Sequence, residues 1–315
     1  MRIATVDVGS NTVRLLVADL AGPGPWRVVD HDQQVTRLGE GLAAAGRLGE
    51  QPAARTLEVV RAYVERGRRL GAARVRIVAT SAVREAVNGR AFAAAVAAAT
   101  GVTPEVVSGE EEARLTLCGV RRGLGDPVGR FVVFDIGGGS TEYILADGAH
   151  VGAVASLPIG VVPLAERFAF PEAVEWARYD ALRAEIRGQL ERDLPAPIRR
   201  ARGMRLVGTA GTVTTLAALD LGLARYDAGR VQGHRLTRVA VQAQLRRLGA
   251  LPVAGRAALP CLEPGRADLI VPGIAIVEAT LGMLDAEAVT VSDWGLREGI
   301  LVGAAEEASA RRPVI

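Results

Sequence analysis

Residues 130–147 read RFVVFDIGGGSTEYILAD, and residues 2–19 read RIATVDVGSNTVRLLVAD. The two stretches align without a gap, so that Asp7 matches Asp135. In each copy an apolar run precedes a short polar turn and another follows it, which predicts strand, tight turn and strand. The repeat therefore predicts one β-hairpin used twice, and it favours a chain of two domains.

The turn of each copy has the composition of an anion-binding loop. A short Gly-rich turn aims backbone N–H groups at one point, which makes a concavity for anions. An Asp just before such a turn can hold a hard cation such as Mg²⁺. Two hairpins of this kind predict a protein that binds a metal-associated phosphate chain.

The composition excludes two classes of enzyme. The chain has 315 residues, 49% of them hydrophobic, enough for one large core or two ordinary ones. All 38 basic residues are Arg, and Lys is absent from the sequence. P-loop NTPases need a Lys on the phosphates and Schiff-base enzymes need a Lys amine, so neither mechanism is available. Any phosphate must be held by Arg, by backbone or by metal.

The rest of the chain has an α/β pattern. Leu57, Val60 and Val64 share one helical face and predict a helix over residues 53–70. Residues 75–79 predict a buried strand, and residues 80–84 a loop into an Ala-rich helix. Further strands are predicted at 105–107, 151–156, 205–208 and 288–292, and further helices at 179–191 and 238–248. We place the first domain at 1–124 and the second at 125–295.

The acidic run at residues 108–115, SGEEEARL, opens a helix after a strand. Ser108 and Glu111 have the spacing of a capping box, and Glu110 can pair with Arg114 at i,i+4. Glu112 has no such explanation. It lies at the edge of the apolar face, where an unpaired carboxylate is costly unless it serves a site. A carboxylate near a metal-bound phosphate can deprotonate a water, so Glu112 is a candidate general base.

Six segments together resemble the exopolyphosphatase/guanosine pentaphosphate phosphohydrolase (Ppx/GppA) family, in its short two-domain form. They occur in the family's order and are DVGSNT (7–12), TSAVREA (80–86), SGEEEARL (108–115), DIGGGSTE (135–142), GTAGTVTTLAAL (208–219) and SDWGLREG (292–299). The resemblance implies two ribonuclease-H-like domains of the acetate and sugar kinase/heat-shock cognate/actin superfamily, with an interdomain cleft. It also implies that a last helix, near 296–308, packs back on the first domain.

The resemblance also implies roles for individual residues. Glu112 becomes the catalytic base, and Asp135 holds the metal or its water shell, with Asp7 as its counterpart. Glu142 either assists the water or hydrogen-bonds within its hairpin. The residues expected around the phosphates are Gly9, Ser10, Asn11, Gly137, Gly138, Gly139 and Ser140.

Two further groups have an ordinary structural reading beside the functional one. The turn that contains Gly208, Gly211 and Thr212 lies beside nucleotide in the wider superfamily, or is only a tight strand-to-helix connection. The side chains of Arg14, Arg84 and Arg266 contact phosphates further along the substrate, or lie on the surface. For Arg266 an ion pair with the neighbouring Asp268 is a rival.

The predicted function is removal of the terminal phosphate from inorganic polyphosphate and/or guanosine pentaphosphate, assisted by Mg²⁺ or another divalent cation. An acetate- or sugar-kinase-like phosphotransferase and an actin-like nucleotide-binding switch share the loops, and the SGEEEARL segment favours the hydrolase. We expect no nucleic-acid or membrane partner, and the resemblance suggests a homodimer. Without a secretory segment or a long apolar span in the sequence, we expect a cytoplasmic protein.

Overall fold

The structure, a computed structural model, describes residues 1–20, 26–127 and 129–310. The chain divides into two compact units. Unit 1 is Met1–Gly119 together with Leu296–Ile315, and unit 2 is Val120–Gly295. Within the described residues, no helix combines the length and the apolar character that crossing a membrane requires.

Unit 1 is built on a mixed sheet with strand order β3-β2-β1-β4-β5 in its described part. Its strands are β1 (Arg2–Val8), β2 (Thr12–Asp19), β3 (Arg27–Val35), β4 (Arg74–Ala79) and β5 (Glu105–Val106). Its helices are α1 (Leu42–Ala45), α2 (Glu50–Arg69), α3 (Ser81–Glu85), α4 (Gly89–Thr100) and the last helix, given below. Helix α5 (Gly109–Leu124) begins in unit 1 and ends in unit 2, whose first residue is Val120. β1 and β2 form the first copy of the repeated hairpin, and β1 and β4 run parallel.

Unit 2 repeats this plan and adds to it. Its strands are β6 (Arg130–Ile136), β7 (Thr141–Asp147), β8 (His150–Leu157), β9 (Arg205–Thr209), β10 (Arg235–Thr237) and β11 (Ala288–Val291), in the order β10-β11-β9-β6-β7-β8. Its helices are α6 (Val161–Arg167), α7 (Trp176–Asp193), α8 (Ala196–Arg199), α9 (Ala210–Asp220), α10 (Ala228–Val231), α11 (Arg238–Gly249), α12 (Val253–Ala257) and α13 (Ile270–Met283), and Pro264–Arg266 forms a 3₁₀ turn. The remaining helix, α14 (Leu296–Ala310), belongs to unit 1.

The central strands are buried on both faces, as expected where helices cover a sheet. In β1 and β6 every residue after the first is buried, which explains their nearly continuous apolar sequence. In unit 1, α2 and α4 cover one side, and α14 places Leu301 and Ala304 against Ile3 and Leu16 on the other. The predicted fold class of two α/β domains is confirmed, and the duplication extends from the hairpin to the order of the neighbouring strands.

One prediction of local structure was wrong, and one helix was not predicted. Residues 80–84 were expected to form a loop, whereas Ser81–Glu85 is a short helix that begins directly at the end of β4. The sequence also gave no reason to expect α13, which crosses the core of unit 2. Nearly all of its residues are buried, so it lacks the polar face that reveals a surface helix.

Candidate active site

The candidate residues of unit 1 gather at one edge of its sheet. β1, β4 and β5 run parallel, so their carboxyl ends meet at the same edge. The first hairpin turn follows β1, α3 with Arg84 follows β4, and α5 with Glu112 follows β5. Ligands of open α/β sheets bind outside the carboxyl ends of the strands. This edge of unit 1 is therefore the candidate site for ligand binding and catalysis.

Asp7, at the end of β1, is a buried carboxylate that lacks a full set of partners. The residue is 2% exposed, and its Oδ2 accepts a long hydrogen bond of 3.4 Å from Arg14 Nη1. Its Oδ1 has no hydrogen-bond partner among the described residues. Burial raises the pKa of the Asp7 carboxyl, while Arg14 opposes that shift. A buried carboxylate oxygen without a hydrogen bond destabilises the folded protein, and a bound cation would stabilise that oxygen.

The turn after Asp7 presents two backbone amides. Gly9 N donates to Thr12 O at 3.1 Å and closes the turn, whereas the N–H groups of Ser10 and Asn11 donate no hydrogen bond within the described residues. Their carbonyls are anchored from behind, since Gly39 N donates to Ser10 O and Thr36 N to Asn11 O. The turn is thus fixed by its carbonyls and leaves its amides available, which is the arrangement of an anion-binding nest.

In unit 2 the second hairpin places two carboxylates opposite each other. Asp135 pairs across the strands with Glu142, where the first hairpin pairs Asp7 with Arg14. Asp135 is 8% and Glu142 1% exposed. Ser140 Oγ and Ser156 Oγ both donate to Glu142 Oε1 at 2.7 Å. Like charges directly opposite on a sheet destabilise it, so this pair is suited to a bound cation.

The Gly-rich turn of this hairpin repeats the open amides of the first. Gly137 N donates to Ser140 O at 2.9 Å, and the N–H groups of Gly138 and Gly139 donate no hydrogen bond in the described part of the chain. The first residues of α6 hold the turn in place, because Val161 N donates to Gly137 O and Val162 N donates to Gly138 O. The two hairpins therefore present the same pair of amides at matching positions.

The close fit behind this turn depends on Gly160. A Cβ at that position would lie 2.2 Å from Gly139 C and 2.3 Å from Gly138 O. No side chain can occupy that space, so only glycine lets the first turn of α6 approach the loop this closely. Sequence reasoning missed Gly160, whose single signal is its place at the junction of an apolar strand and a helix.

Glu112 occupies the first turn of α5, 7% exposed. Arg84 Nη1 donates to Glu112 Oε2 at 3.0 Å and to Val107 O at 2.9 Å, so the guanidinium positions the carboxylate. The neighbouring acidic residues behave as predicted. Ser108 Oγ accepts from the Glu111 amide at 3.1 Å, and Arg114 pairs with Glu110 at 2.7 Å. Arg84 thus contacts Glu112 while its side chain stays 22% exposed.

The third predicted group lies at the carboxyl end of β9. Gly208 is inside the strand, where a Cβ would come 2.7 Å from Phe134 Cζ and 2.8 Å from Val289 Cγ1, so close packing accounts for this glycine. Arg266 lies over Gly211, so that a Cβ added to Gly211 would be 2.1 Å from Arg266 Nη1. Arg266 Nε pairs with Glu263 Oε2 at 3.1 Å. Thr212 is buried against Gly273. The structure brings Arg266 and the start of α9 together.

Each hairpin carries carboxylate oxygens of the kind that bind a divalent cation. Within the described residues no group of three or more His, Cys, Asp and Glu side chains is arranged as a metal site. Asp7 with its bare oxygen, and Asp135 opposite Glu142, are nevertheless carboxylates next to turns whose amides make no hydrogen bond in the described part of the chain. Mg²⁺ is usually bound in this way, through one or two carboxylates, several waters and the substrate's phosphates.

Fold and site define a class: a two-unit α/β protein with duplicated amide-rich hairpins suited to phosphate, and a buried carboxylate at the same sheet edge as one of them. Comparison of the sequence with models of known families identifies the family. The model of the Ppx/GppA phosphatase family matches residues 11–308, and this chain belongs to that family. The resemblance inferred from the sequence is thereby confirmed.

Curated relatives and solved structures agree with this assignment. Exopolyphosphatase 2 of Mycobacterium tuberculosis is 37% identical over 317 residues, covering 96% of this chain and 98% of that protein. The Aquifex aeolicus PPX-GPPA enzyme is 34% identical with a TM-score of 0.79, covering 96% of this chain and 99% of that chain. An exopolyphosphatase from Cytophaga hutchinsonii, 24% identical with a TM-score of 0.89 and 98% of both chains covered, shares the fold.

Proposed function

We propose that this protein hydrolyses phosphoanhydrides and removes the terminal phosphate of inorganic polyphosphate, with guanosine pentaphosphate as a second candidate substrate. The observation that carries the proposal is the buried Glu112 carboxylate, held by Arg84 at the sheet edge where the first hairpin presents open amides. The family membership and the relatives named exopolyphosphatases support it.

In the proposed mechanism the amides of Ser10 and Asn11, and those of Gly138 and Gly139, bind phosphate oxygens. In phosphoryl transfer the protein mainly positions the reactants and stabilises charge on the equatorial oxygens, which suits backbone donors that need no reorganisation. A divalent cation held by Asp7, or by Asp135 with Glu142, would neutralise the charge of the phosphate chain.

Glu112 supplies the proton transfer. Its carboxylate accepts a proton from the attacking water, while the Arg84 guanidinium fixes the orientation of the carboxylate through Oε2. Because Glu112 is buried, few waters can reach its carboxylate, which can therefore orient a single attacking water. The water oxygen bonds to the terminal phosphorus as the bond from that phosphorus to the bridging oxygen breaks, so that orthophosphate and the shortened chain leave. Glu112 then loses its proton to solvent, and no covalent bond to the enzyme is needed.

A phosphotransferase or a nucleotide-binding switch would use the same hairpins. Because a carboxylate base could also deprotonate the hydroxyl of an acceptor, it is the SGEEEARL segment and the family membership that favour water as the acceptor. A kinase would also need a pocket for its acceptor, so transfer of phosphate to an added acceptor distinguishes a kinase from a hydrolase.

The test is a phosphate-release assay with Mg²⁺ on polyphosphates of several lengths, guanosine pentaphosphate, guanosine tetraphosphate and ATP. We expect orthophosphate from polyphosphate, with the chain shortened one residue at a time, and we expect guanosine tetraphosphate as the product from the pentaphosphate. Phosphate transfer to an added acetate or sugar, with no release to water, would contradict the proposal. Release from none of these substrates would contradict it as well.

A further inference from the structure

Ser156, in β8, lies beside the second hairpin and is not among the predicted site residues. The strand register aligns Asp135 with Glu142 and Glu142 with Ser156, so the three residues form one row across β6, β7 and β8. Residues directly opposite each other on neighbouring strands have their side chains on the same face of the sheet. The row therefore places a hydroxyl next to the Glu142 carboxylate, for which the sequence left two roles open.

Two hydroxyls donate to one oxygen of Glu142. Ser156 Oγ lies 2.7 Å from Glu142 Oε1, and Ser140 Oγ lies 2.7 Å from the same atom. Hydrogen bonds from hydroxyls to an ionised carboxylate have lengths of about 2.5–2.7 Å and are roughly twice as strong as neutral ones. Glu142 is 1% exposed, so both bonds are made inside the protein, where they hold the carboxylate in one orientation.

The same contact determines what the Ser140 hydroxyl can do. A hydroxyl has a single proton, and Ser140 donates it to Glu142. While that bond is made, the hydroxyl cannot donate to a phosphate oxygen. The open amides of Gly138 and Gly139 remain available to phosphate, and the Ser140 hydroxyl serves the Glu142 carboxylate instead.

The first copy of the repeat has a different row at the matching place. Its register aligns Asp7 with Arg14 and Arg14 with Gln33, and Arg14 Nη1 lies 3.4 Å from Asp7 Oδ2. The second copy has the Glu142 carboxylate where the first has that guanidinium. Two carboxylates opposite each other are unfavourable unless hydrogen bonds or a cation stabilise them. Ser156 supplies one of those hydrogen bonds.

We propose that Ser156 is a positioning residue of the proposed hydrolysis, whose hydroxyl holds Glu142 in the orientation in which Glu142 and Asp135 bind a divalent cation. The inference rests on the proposed function, because a metal-assisted phosphohydrolase gives this carboxylate pair its purpose. The rival explanation is structural. Ser156 would then only satisfy a buried carboxylate and stabilise unit 2, without an effect on cation binding.

Binding of Mn²⁺, measured by titration calorimetry on the full chain without substrate, separates the two explanations. Ser156→Ala removes the hydroxyl, whereas Ser156→Thr keeps it on a side chain that suits a strand. Thr56→Val is the control, because it removes a buried hydroxyl that donates to the backbone carbonyl of Pro52 in unit 1.

Partners that orient metal ligands typically contribute about 10- to 100-fold in affinity, so we expect Ser156→Ala to weaken Mn²⁺ binding by about that factor. Glu142→Gln should weaken it at least as much, because Ser156 acts through Glu142. We expect Ser156→Thr and Thr56→Val to bind Mn²⁺ as the wild type does, since the first keeps the donor and the second lies in the other unit.

Unchanged Mn²⁺ affinity in Ser156→Ala or in Glu142→Gln would overturn the proposal, and so would a wild type that does not bind Mn²⁺. A lower melting temperature of Ser156→Ala with unchanged affinity would show the structural role instead. If Ser156→Ala fails to fold, Ser156→Val is compared with Ser156→Thr, because the two side chains have one shape and differ in the hydroxyl. Equal affinities in that pair would overturn the proposal too. Failure of the proposed function is a separate result, since Mn²⁺ affinity is measured without any turnover.

Discussion

Replacing Gly160 by Ala tests whether the Gly-rich loop must be held at its observed position. The new Cβ would lie 2.2 Å from Gly139 C and 2.3 Å from Gly138 O, whereas ordinary contacts begin near 3.4 Å. Both neighbouring atoms are backbone, so they cannot rotate aside as a flexible side chain would. Either the loop or the start of α6 must retreat by about 1 Å, and a 1 Å misplacement of a positioning group can cost about 100-fold in rate.

We therefore expect kcat/KM for phosphate release from polyphosphate to fall about 100-fold in Gly160→Ala, which corresponds to about 2.7 kcal/mol of transition-state stabilisation. Overpacking of this kind also costs roughly 1–3 kcal/mol of stability, so circular dichroism must first establish a temperature at which the variant is folded. Gly282→Ala is the matched control, because nothing lies within 4 Å of its Cβ. Wild-type kinetics in folded Gly160→Ala would refute the idea that the loop's position matters.

Two other perturbations probe charge. Asp135→Asn removes one of the two carboxylates of the cross-strand pair, so we expect Mn²⁺ affinity and turnover to fall sharply. Retained Mn²⁺ binding and turnover would exclude Asp135 as a ligand. Asp19 has its pKa held well below the usual range by hydrogen bonds from Arg2 and then Arg27. Its contribution to stability is therefore present above its unfolded pKa of about 3.9 and is lost as the pH falls through the lower folded value. Urea titrations should show Asp19→Asn less stable than wild type at pH 7 and the difference shrinking below about pH 4, whereas a difference independent of pH would contradict this reading.

The sequence predicted the parts of the fold that leave a local pattern. The repeated hairpin could be read because strand, turn and strand lie within 18 consecutive residues, and the structure pairs Asp7 with Arg14 and Asp135 with Glu142 as the alignment implies. The amphipathic helix predicted over 53–70 is α2, which begins three residues earlier. The Ser108–Glu111 and Glu110–Arg114 contacts followed from helical spacing alone.

Other features depend on tertiary contacts that no local pattern reveals. Helix α13 is apolar nearly all round, so neither its period nor its bounds could be read. Gly160 packs against the backbone of Gly138–Gly139, and Gly299 packs against the backbone of Leu115. Neither position has room for a Cβ, and the sequence around each glycine does not show this. Glu298 looks like an ordinary acidic residue of a first helical turn until its burial is seen.

In the proposed mechanism Glu112 activates the attacking water. The direct measurement is the rate of orthophosphate release from polyphosphate by Glu112→Gln, a variant that keeps the size of the side chain and can still accept from Arg84. A general base contributes about 10² to 10⁴ in rate, so we predict a loss of that order with substrate still bound. Glu110→Gln, which removes an exposed carboxylate two residues away, should retain wild-type activity. Full activity in Glu112→Gln would show that Glu112 is not the general base.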